Sequence, residues 1–181
     1  MNRKAKVLIF SIVTIAVFSL TVGTSLAQQK LTELSPVFID GMGPIRVGMT
    51  VAEASRAAGV RLVRDEPLGD CSNATPQGNP RGVSFMVTGN RISRVNVYEN
   101  RRVATGKLAR IGDTEARIKS LYPGRIQVSQ HQYVRGGHYL TFVPKDRSDR
   151  NYRLIFETDG KRVTSFRSGK LPEVEYVEGC A

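Results

Sequence analysis

Cysteine and histidine are both scarce in this chain of 181 residues, which contains two of each: Cys71, Cys180, His131 and His138. Two cysteines are too few for a scaffold held by several disulfides or for a multi-cysteine metal cluster. The two histidines stand seven residues apart with no Asp, Glu or Cys between them, which is not the spacing of a metal site. We therefore expect no metal ion and no cofactor.

Sequence motifs of enzymes are also missing. No Gly-x-Ser-x-Gly segment, which is typical of the serine nucleophile of hydrolases, occurs in the chain. The glycine pairs Gly41/Gly43 and Gly136/Gly137 lack the downstream spacing of a phosphate-binding loop. A hydrolase stays an alternative, because a serine, a histidine and a carboxylate can converge from distant parts of a chain. The sequence favours a protein without enzymatic activity.

Acidic residues are in the minority, with 16 Asp and Glu against 27 Lys and Arg, for a formal net charge of +11. Such an excess suggests nucleic acid, a membrane surface or an anionic polymer as a partner. The cations are mostly arginines, 19 of the 27, and no run of five or six like charges and no nucleic-acid-binding signature occurs. We therefore expect no nucleic acid, while an anionic cell-wall or membrane-surface polymer stays an alternative partner.

A long apolar run is found at the N-terminus. Basic residues between positions 3 and 6 precede an apolar segment, residues 7–20, and small residues follow up to Ala27. This order predicts a secretory signal peptide, residues 1–27, cleaved between Ala27 and Gln28. The alternative is an uncleaved inner-membrane anchor formed by residues 7–27. No cysteine follows the run, which argues against a lipid-anchored lipoprotein, so we expect a periplasmic or secreted protein.

Export changes both the charge of the chain and the chemistry of its cysteines. Removal of residues 1–27 takes away three basic residues and no acids, which leaves 24 basic against 16 acidic residues and a net charge of +8. Outside the cytosol the two cysteines can be oxidised. We predict a disulfide between Cys71 and Cys180, worth about 4 kcal/mol in the chain-entropy model. Two free thiols are the alternative.

A hexapeptide pattern occurs twice, 64 residues apart, at residues 45–50 (Ile-Arg-Val-Gly-Met-Thr) and residues 109–114 (Ala-Arg-Ile-Gly-Asp-Thr). A short segment with a helical pattern follows each copy, and glycine or proline terminates that segment. In the first copy, Thr50 and Glu53 have the spacing of a capping box. Self-similarity at a fixed distance indicates a duplicated unit. We therefore divide the chain into a signal peptide, a lead-in and two units, at residues 1–27, 28–43, 44–105 and 106–181.

Alternating apolar and polar residues predict β-strands after each helical pattern. Two such stretches flank Gly89 and Asn90, and two more flank residues 158–161, both typical hairpin turns. Helices this short are unstable alone and must pack on such strands. We predict an α+β fold of two similar units, each a short helix or helical pair packed on an antiparallel β-meander, with one continuous sheet as a possible arrangement. Further short strands are predicted at residues 125–128, 138–143 and 174–177.

The pattern Gly-Met-Thr-x-x-Glu-Ala at residues 48–54, after Ile-x-Val at residues 45–47, resembles the signature of small envelope domains of the outer-membrane assembly lipoprotein type. Tandem copies of such a unit are similar to the β-lactamase inhibitor protein family. In those families a helical element packs on one face of an antiparallel sheet, and the function is protein binding. The resemblance implies a non-enzymatic, inhibitor-like or envelope-associated protein whose partner is another envelope or extracellular protein.

Candidate binding residues lie on and near the strand predicted at residues 138–143. Alternation places His138 and Tyr139 on opposite faces of this strand, and one face of the sheet stays open if the helices cover only the other. Aromatic and cationic side chains are enriched in protein interfaces, and the alternative is that these side chains pack in the core and loops. We expect the membrane to be contacted only through an uncleaved signal segment. The candidates are Tyr133, Arg135, His138, Tyr139 and Arg153.

Overall fold

The structure, a computed structural model, describes residues 30–180. The predicted signal peptide and its cleavage site between Ala27 and Gln28 lie outside the described residues. Between Lys30 and Cys180 no helix is both long enough and apolar enough to cross a membrane.

A small antiparallel sheet of three strands opens the described part of the chain. Its strands, β1 (Val37–Phe38), β2 (Gly41–Met42) and β3 (Ile45–Arg46), are two residues long each and are paired in chain order. Each strand contributes apolar area to the core, since Val37, Met42 and Ile45 are fully buried. The segment expected to be an irregular lead-in therefore holds two strands of this sheet.

Eight further strands form one antiparallel sheet. Their bounds are β4 (Leu62–Arg64), β5 (Cys71–Pro76), β6 (Val83–Thr88), β7 (Arg91–Tyr98), β8 (Ile126–Gln130), β9 (His138–Phe142), β10 (Tyr152–Thr158) and β11 (Val163–Lys170). Across the sheet the order is β4-β5-β6-β7-β11-β10-β9-β8. The two halves of the chain thus supply four neighbouring strands each, and they meet where β7 pairs with β11.

Local turn chemistry connects β6 to β7. Gly89 and Asn90 both have positive φ, 53° and 62°. Positive φ at both central residues is the requirement of a type I′ turn, whose twist matches that of the strands, and Asn-Gly-type pairs satisfy it at low cost. The hairpin predicted at this position is confirmed.

Two short helices complete the fold, α1 (Val51–Ala58) and α2 (Glu115–Leu121). The predicted capping box of α1 is confirmed: the Glu53 amide donates to the Thr50 hydroxyl at 3.2 Å, and the Thr50 amide donates to the Glu53 carboxylate at 2.8 Å. The Thr114 hydroxyl accepts from the Arg117 amide and begins α2 in the same way. Both repeated hexapeptides therefore end at a helix N-cap.

The hydrophobic core lies on one face of the eight-stranded sheet and draws on both halves of the chain. Phe85 from the first half and Phe156 and Phe166 from the second are its largest fully buried side chains. The rings of Phe156 and Phe166 lie 5.7 Å apart, a tilted contact that is favourable for aromatic pairs. Apolar residues of β1–β3 close this core from the other side.

The predicted α+β class is wrong, because the described residues are mostly β, with 40% in strands and 14% in helices. The prediction gave each unit its own helix packed on its own meander. The helices are only about two turns long and place just Ala54, Ala58 and Ile118 fully in the core. Pairing between strands of the two halves organises the fold instead. The division into units at residues 105 and 106 stays a prediction.

The C-terminal segment, residues 171–180, folds back across the other face of the sheet, and we call it the strap. A strand was predicted at residues 174–177, but this is wrong: the strap holds a short 3-10 helix, Glu173–Glu175, and no strand. The predicted disulfide is confirmed, since Cys71 on β5 is bonded to Cys180 and fixes the end of the strap to the sheet.

Candidate binding site

Alternation along the strands gives the sheet a polar second face, opposite to the core. One row of neighbouring side chains crosses it from β6 to β9, and the residues of the row are Ser84, Asn96, Arg167, Ile155 and Thr141. The adjacent row is Met86, Arg94, Gly169 and, on β10, Arg153. This face is therefore polar and cationic at the centre of the sheet, and apolar at Met86 and Ile155.

The strap covers part of this face and is anchored there by buried groups. The Val174 side chain is fully buried against Tyr139 and Ile155. Two arginines of the sheet bind backbone carbonyls of the strap: Arg167 Nε donates to Val174 at 2.7 Å, and Arg94 Nη1 donates to Glu173 at 3.1 Å. The Glu173 carbonyl also accepts from the Tyr176 amide at 3.3 Å. The Arg167 guanidinium satisfies the buried Val174 carbonyl.

A cleft of about 420 Å³ remains open between the strap and strands β5, β6, β7 and β11. Its floor is formed by short polar side chains and two arginines, and its wall by the end of the strap. The polar and charged side chains that define its chemistry are Asp65, Asn73, Ser84, Arg94, Asn96, Glu157, Arg167 and Glu178. Such a mixture can donate to and accept from a bound group in several orientations.

Arg94 is a buried charge in this cleft that has no ion-pair partner among residues 30–180. Burial, and secondarily the nearby Arg167 charge, lowers the pKa of the Arg94 guanidinium to about 10, while Glu157 acts in the opposite direction. The guanidinium therefore stays charged at neutral pH. No carboxylate of residues 30–180 forms an ion pair with it. It lies instead among neutral hydrogen-bond acceptors, and none of the acids that line the cleft, Asp65, Glu157 and Glu178, is ion-paired with it.

Hydrogen bonds hold the Arg94 side chain in one position. Its Nε donates to Asn96 Oδ1 at 2.5 Å, and its Nη1 donates to the carbonyls of Glu173 and Tyr176. The Asn96 amide in turn donates to Ser84 Oγ at 3.1 Å. Between Lys30 and Cys180 no residue accepts from Nη2. One edge of a fixed guanidinium is thus available to a bound acceptor.

Glu157 is neutralised by its own neighbours. Its carboxylate pairs with the Arg167 guanidinium and accepts from Ser165 Oγ at 3.1 Å. His131 Nε2 lies 3.5 Å from the same carboxylate. Since Arg167 already balances the Glu157 charge, Glu157 does not balance that of Arg94.

His131, Glu157 and Ser165 are neighbours, but they are not arranged as a catalytic triad. His131 Nδ1 accepts from the backbone amides of Tyr133 and Val134, which leaves the proton on Nε2, facing Glu157. In a triad the histidine accepts the serine proton, whereas here the Ser165 hydroxyl donates directly to the carboxylate. The geometry therefore gives the serine no histidine base, and the three side chains are not a triad.

The five predicted binding residues do not form one surface. Tyr139 is buried: its ring stacks on His131 at 4.5 Å and lies 5.7 Å from the Arg167 guanidinium. Tyr133 is exposed in the β8–β9 turn with its hydroxyl bound to Glu178, which raises the pKa of the Tyr133 phenol.

The other three candidates lie apart from the cleft. Arg135 is exposed in the same turn, and Arg153 donates to backbone carbonyls at the start of β10. His138 is on the core side of its strand, where its Nδ1 lies 2.8 Å from the Glu115 carboxylate. The structure thus brings none of the five into the cleft.

The residues that do line the cleft were missed at the level of sequence. Alternation along β7 places Arg94 and Asn96 opposite to the buried Val95 and Val97, and this signal was available in the sequence. The alternating pattern does not reveal the strap. The strap buries Arg94 through Glu173 and Tyr176, which lie 79 and 82 residues further along the chain. An arginine on an alternating strand therefore has the sequence signature of an exposed surface residue.

A second, more apolar groove of about 800 Å³ lies between β1–β3 and β9–β10. Lys107 Nζ lies 5.5 Å from the centroid of the Tyr122 ring within it. Its rim carries acids and bases in balance, Asp40 and Asp149 with Arg46 and Lys107, so it has no surplus charge. Across residues 30–180, no three His, Cys, Asp or Glu side chains are grouped in a way that could hold a metal ion.

No protein-family model, no curated protein and no solved structure matches this chain. The resemblance to small envelope and inhibitor domains therefore stays a prediction. The geometry of the cleft is the remaining basis for a functional argument.

Proposed function

We propose that the chain is an exported, non-enzymatic binding protein whose polar cleft takes an acidic segment of another protein. The observation that carries this proposal is Arg94 itself, a buried guanidinium with which no carboxylate of the described part of the chain forms an ion pair. A cation removed from water is stabilised most by an anion that also accepts hydrogen bonds. A carboxylate from a partner protein supplies both.

The surroundings of Arg94 support a protein partner. Ser84, Asn96 and Ser165 provide short, adaptable hydrogen-bonding groups, and Tyr98 is 41% exposed at the rim. Tyrosine and arginine dominate the energetics of many interfaces, and serine and asparagine adapt to the partner's polar groups. The volume of about 420 Å³ is within the range of small-ligand pockets and suits the tip of a loop.

The cellular location is part of the same proposal. The Cys71–Cys180 disulfide supports an oxidising compartment, where such bonds persist. Together with the N-terminal signal pattern, it supports a periplasmic or secreted protein whose partner is another envelope or extracellular protein.

Replacement of Asn96 by Asp tests the cleft directly. Asn96→Asp keeps the oxygen that accepts from Arg94 Nε and places a carboxylate beside the guanidinium. This carboxylate supplies the negative charge that the partner's carboxylate would otherwise provide. The control is Asn151→Asp, the same chemical change at an exposed residue directly before β10. Both variants and the wild type, each beginning at Gln28, are immobilised and exposed to an envelope extract of the source cells, and retained proteins are quantified by mass spectrometry.

We expect at least one protein to be retained by the wild type and by Asn151→Asp, and to be reduced at least about tenfold by Asn96→Asp, the scale of one charge-assisted hydrogen bond. Equal retention by all three, or retention of no protein, would contradict the proposal. Cosedimentation with polyglutamate and polyphosphate covers the alternative. Binding to both polymers that falls steeply with salt and is unaffected by Asn96→Asp would favour a polymer-binding function driven by dispersed charge.

A further inference from the structure

The eight-stranded sheet has two edges, and its first edge strand is protected. β4 is only three residues long. Charged side chains within and beside an edge strand prevent it from pairing with another chain, because pairing would desolvate them or bring like charges together. The charged residues in and around β4 are Arg61, Arg64, Asp65 and Glu66.

The other edge strand, β8, has none of these protections. Its five residues, Ile-Gln-Val-Ser-Gln, include no charge and no proline. Four of them, from Gln127 onward, are exposed, and the Val128 side chain is 48% exposed. A neutral, apolar-centred edge strand of this length is a template for strand addition.

The hydrogen bonds at both ends of β8 show which backbone groups are unpaired. The Val143 amide donates to the Arg125 carbonyl at 3.0 Å, and the His131 amide donates to the Gly137 carbonyl at 2.9 Å. In an antiparallel ladder every second residue bonds to the same neighbour. Residues 125, 127, 129 and 131 thus bond to β9, while Ile126, Val128 and Gln130 direct their amides and carbonyls away from the sheet.

We propose that β8 pairs with β8 of a second copy of this chain, antiparallel and centred on Val128. Val128 then lies opposite the second copy's Val128, and Ile126 lies opposite Gln130 in both directions. These are the three outward-facing positions, so each forms a two-bond pair, for about six backbone hydrogen bonds in total. The result is a closed two-fold dimer with one continuous sheet.

The side chains of β8 fit this self-pairing. On the core side, the half-exposed Val128 meets an identical valine, an apolar contact on the two-fold axis. On the other side, Gln127 lies opposite Ser129, so no like charges face each other within the strand. At its end, the Arg125 guanidinium is turned back onto the Val143 carbonyl and does not project into the junction. A second copy of the chain is the partner that these complementary positions specify.

Charge substitution at the two-fold axis tests the proposal. Val128→Lys and Val128→Glu each place two like charges opposite one another and should abolish the dimer, whereas an equal mixture of the two variants should restore it as a heterodimer. The control is Val63→Lys on β4, at a side chain 42% exposed on the protected edge. Mass is measured by light scattering after gel filtration at up to about 0.5 mM, because interfaces below about 1,200 Å² are usually weak.

We expect a doubling of mass with concentration for the wild type and Val63→Lys, and a monomer for each Val128 variant alone. Amide exchange gives an independent result: Ile126, Val128 and Gln130 should gain protection with concentration, while Gln127 and Ser129 are protected throughout. A wild type that stays monomeric over this range, a dimer that Val128→Lys leaves intact, or a mixture that stays monomeric would each overturn the proposal.

Discussion

Removal of the Cys71–Cys180 disulfide should destabilise the protein strongly while leaving the strap in place. The perturbation is the double substitution Cys71→Ser with Cys180→Ser. Both cysteines are only partly buried, so little core packing is lost. The cost arises in the unfolded chain, which regains the freedom of a closed loop spanning 109 residues.

The magnitude follows from the length of that loop. In the chain-entropy model, a closed loop of 109 residues corresponds to about 5 kcal/mol at 25 °C, slightly more than the value of about 4 kcal/mol expected from the sequence. Small domains have a total stability of about 5–15 kcal/mol, so the loss is a large fraction of it. With a urea dependence of about 2 kcal/mol per molar, the unfolding midpoint should fall by about 2 to 3 M.

Urea unfolding followed by far-ultraviolet circular dichroism measures this shift, since the chain has no tryptophan for fluorescence. Wild-type protein in reductant is the matched control and should have the same midpoint as the double variant. The native spectrum should be unchanged, because Val174 and the carbonyls bound by Arg94 and Arg167 still hold the strap. A loss of less than about 1 kcal/mol in both samples would refute the loop-entropy reasoning.

Two further predictions concern a carboxylate and a glycine. Burial acts to raise the pKa of Glu115, but hydrogen bonds from Thr158 and His138 and nearby charges lower this pKa overall. A carboxylate whose pKa is lowered on folding stabilises the protein above its unfolded pKa, and this stability is lost as the pH falls through its folded pKa. The urea midpoint should therefore fall as the pH goes from about 6 to about 3, and Glu115→Gln should flatten that fall; an equal slope in both proteins would contradict the assignment. Gly82→Ala should lower the free energy of unfolding by about 1–3 kcal/mol more than Gly124→Ala does. The two glycines have similar positive φ, 67° and 66°, so the backbone strain is matched. A Cβ at Gly82 would lie 2.2 Å from the Tyr98 carbonyl oxygen, whereas a Cβ at Gly124 would face open space. Equal losses of unfolding free energy would show that the close approach is relieved.

Features that depend on neighbouring residues were predictable from the sequence. The Thr50–Glu53 capping box and the Gly89–Asn90 hairpin are specified by side chains and backbone preferences within a few positions. The disulfide was predictable for another reason: only two cysteines are present. In each case few alternatives were available to the chain.

Features that depend on distant pairing were not predictable in this way. Alternation in β7 and β11 shows that each is a strand with one buried face, but not that the two are neighbours. The predicted fold class was wrong for that reason. The prediction had each helix organise its own unit, whereas pairing between strands of the two halves organises the fold. The candidate cleft was not predicted for a related reason: whether Tyr139 is exposed or buried depends on Val174, which covers it from the C-terminal strap.

The cleft and the edge strand should act independently, and the twist of the sheet is the reason. From β7 of one copy to β7 of the other, a dimer through β8 contains nine strand spacings, or about 43 Å. Adjacent strands rotate by about 20°, so the rotation accumulated over nine steps is about 180°. The two clefts then face in nearly opposite directions and cannot engage one partner molecule together, so dimerisation adds no avidity for a single partner. Val128→Lys should therefore leave the affinity of the cleft unchanged, and Asn96→Asp should leave the dimer intact.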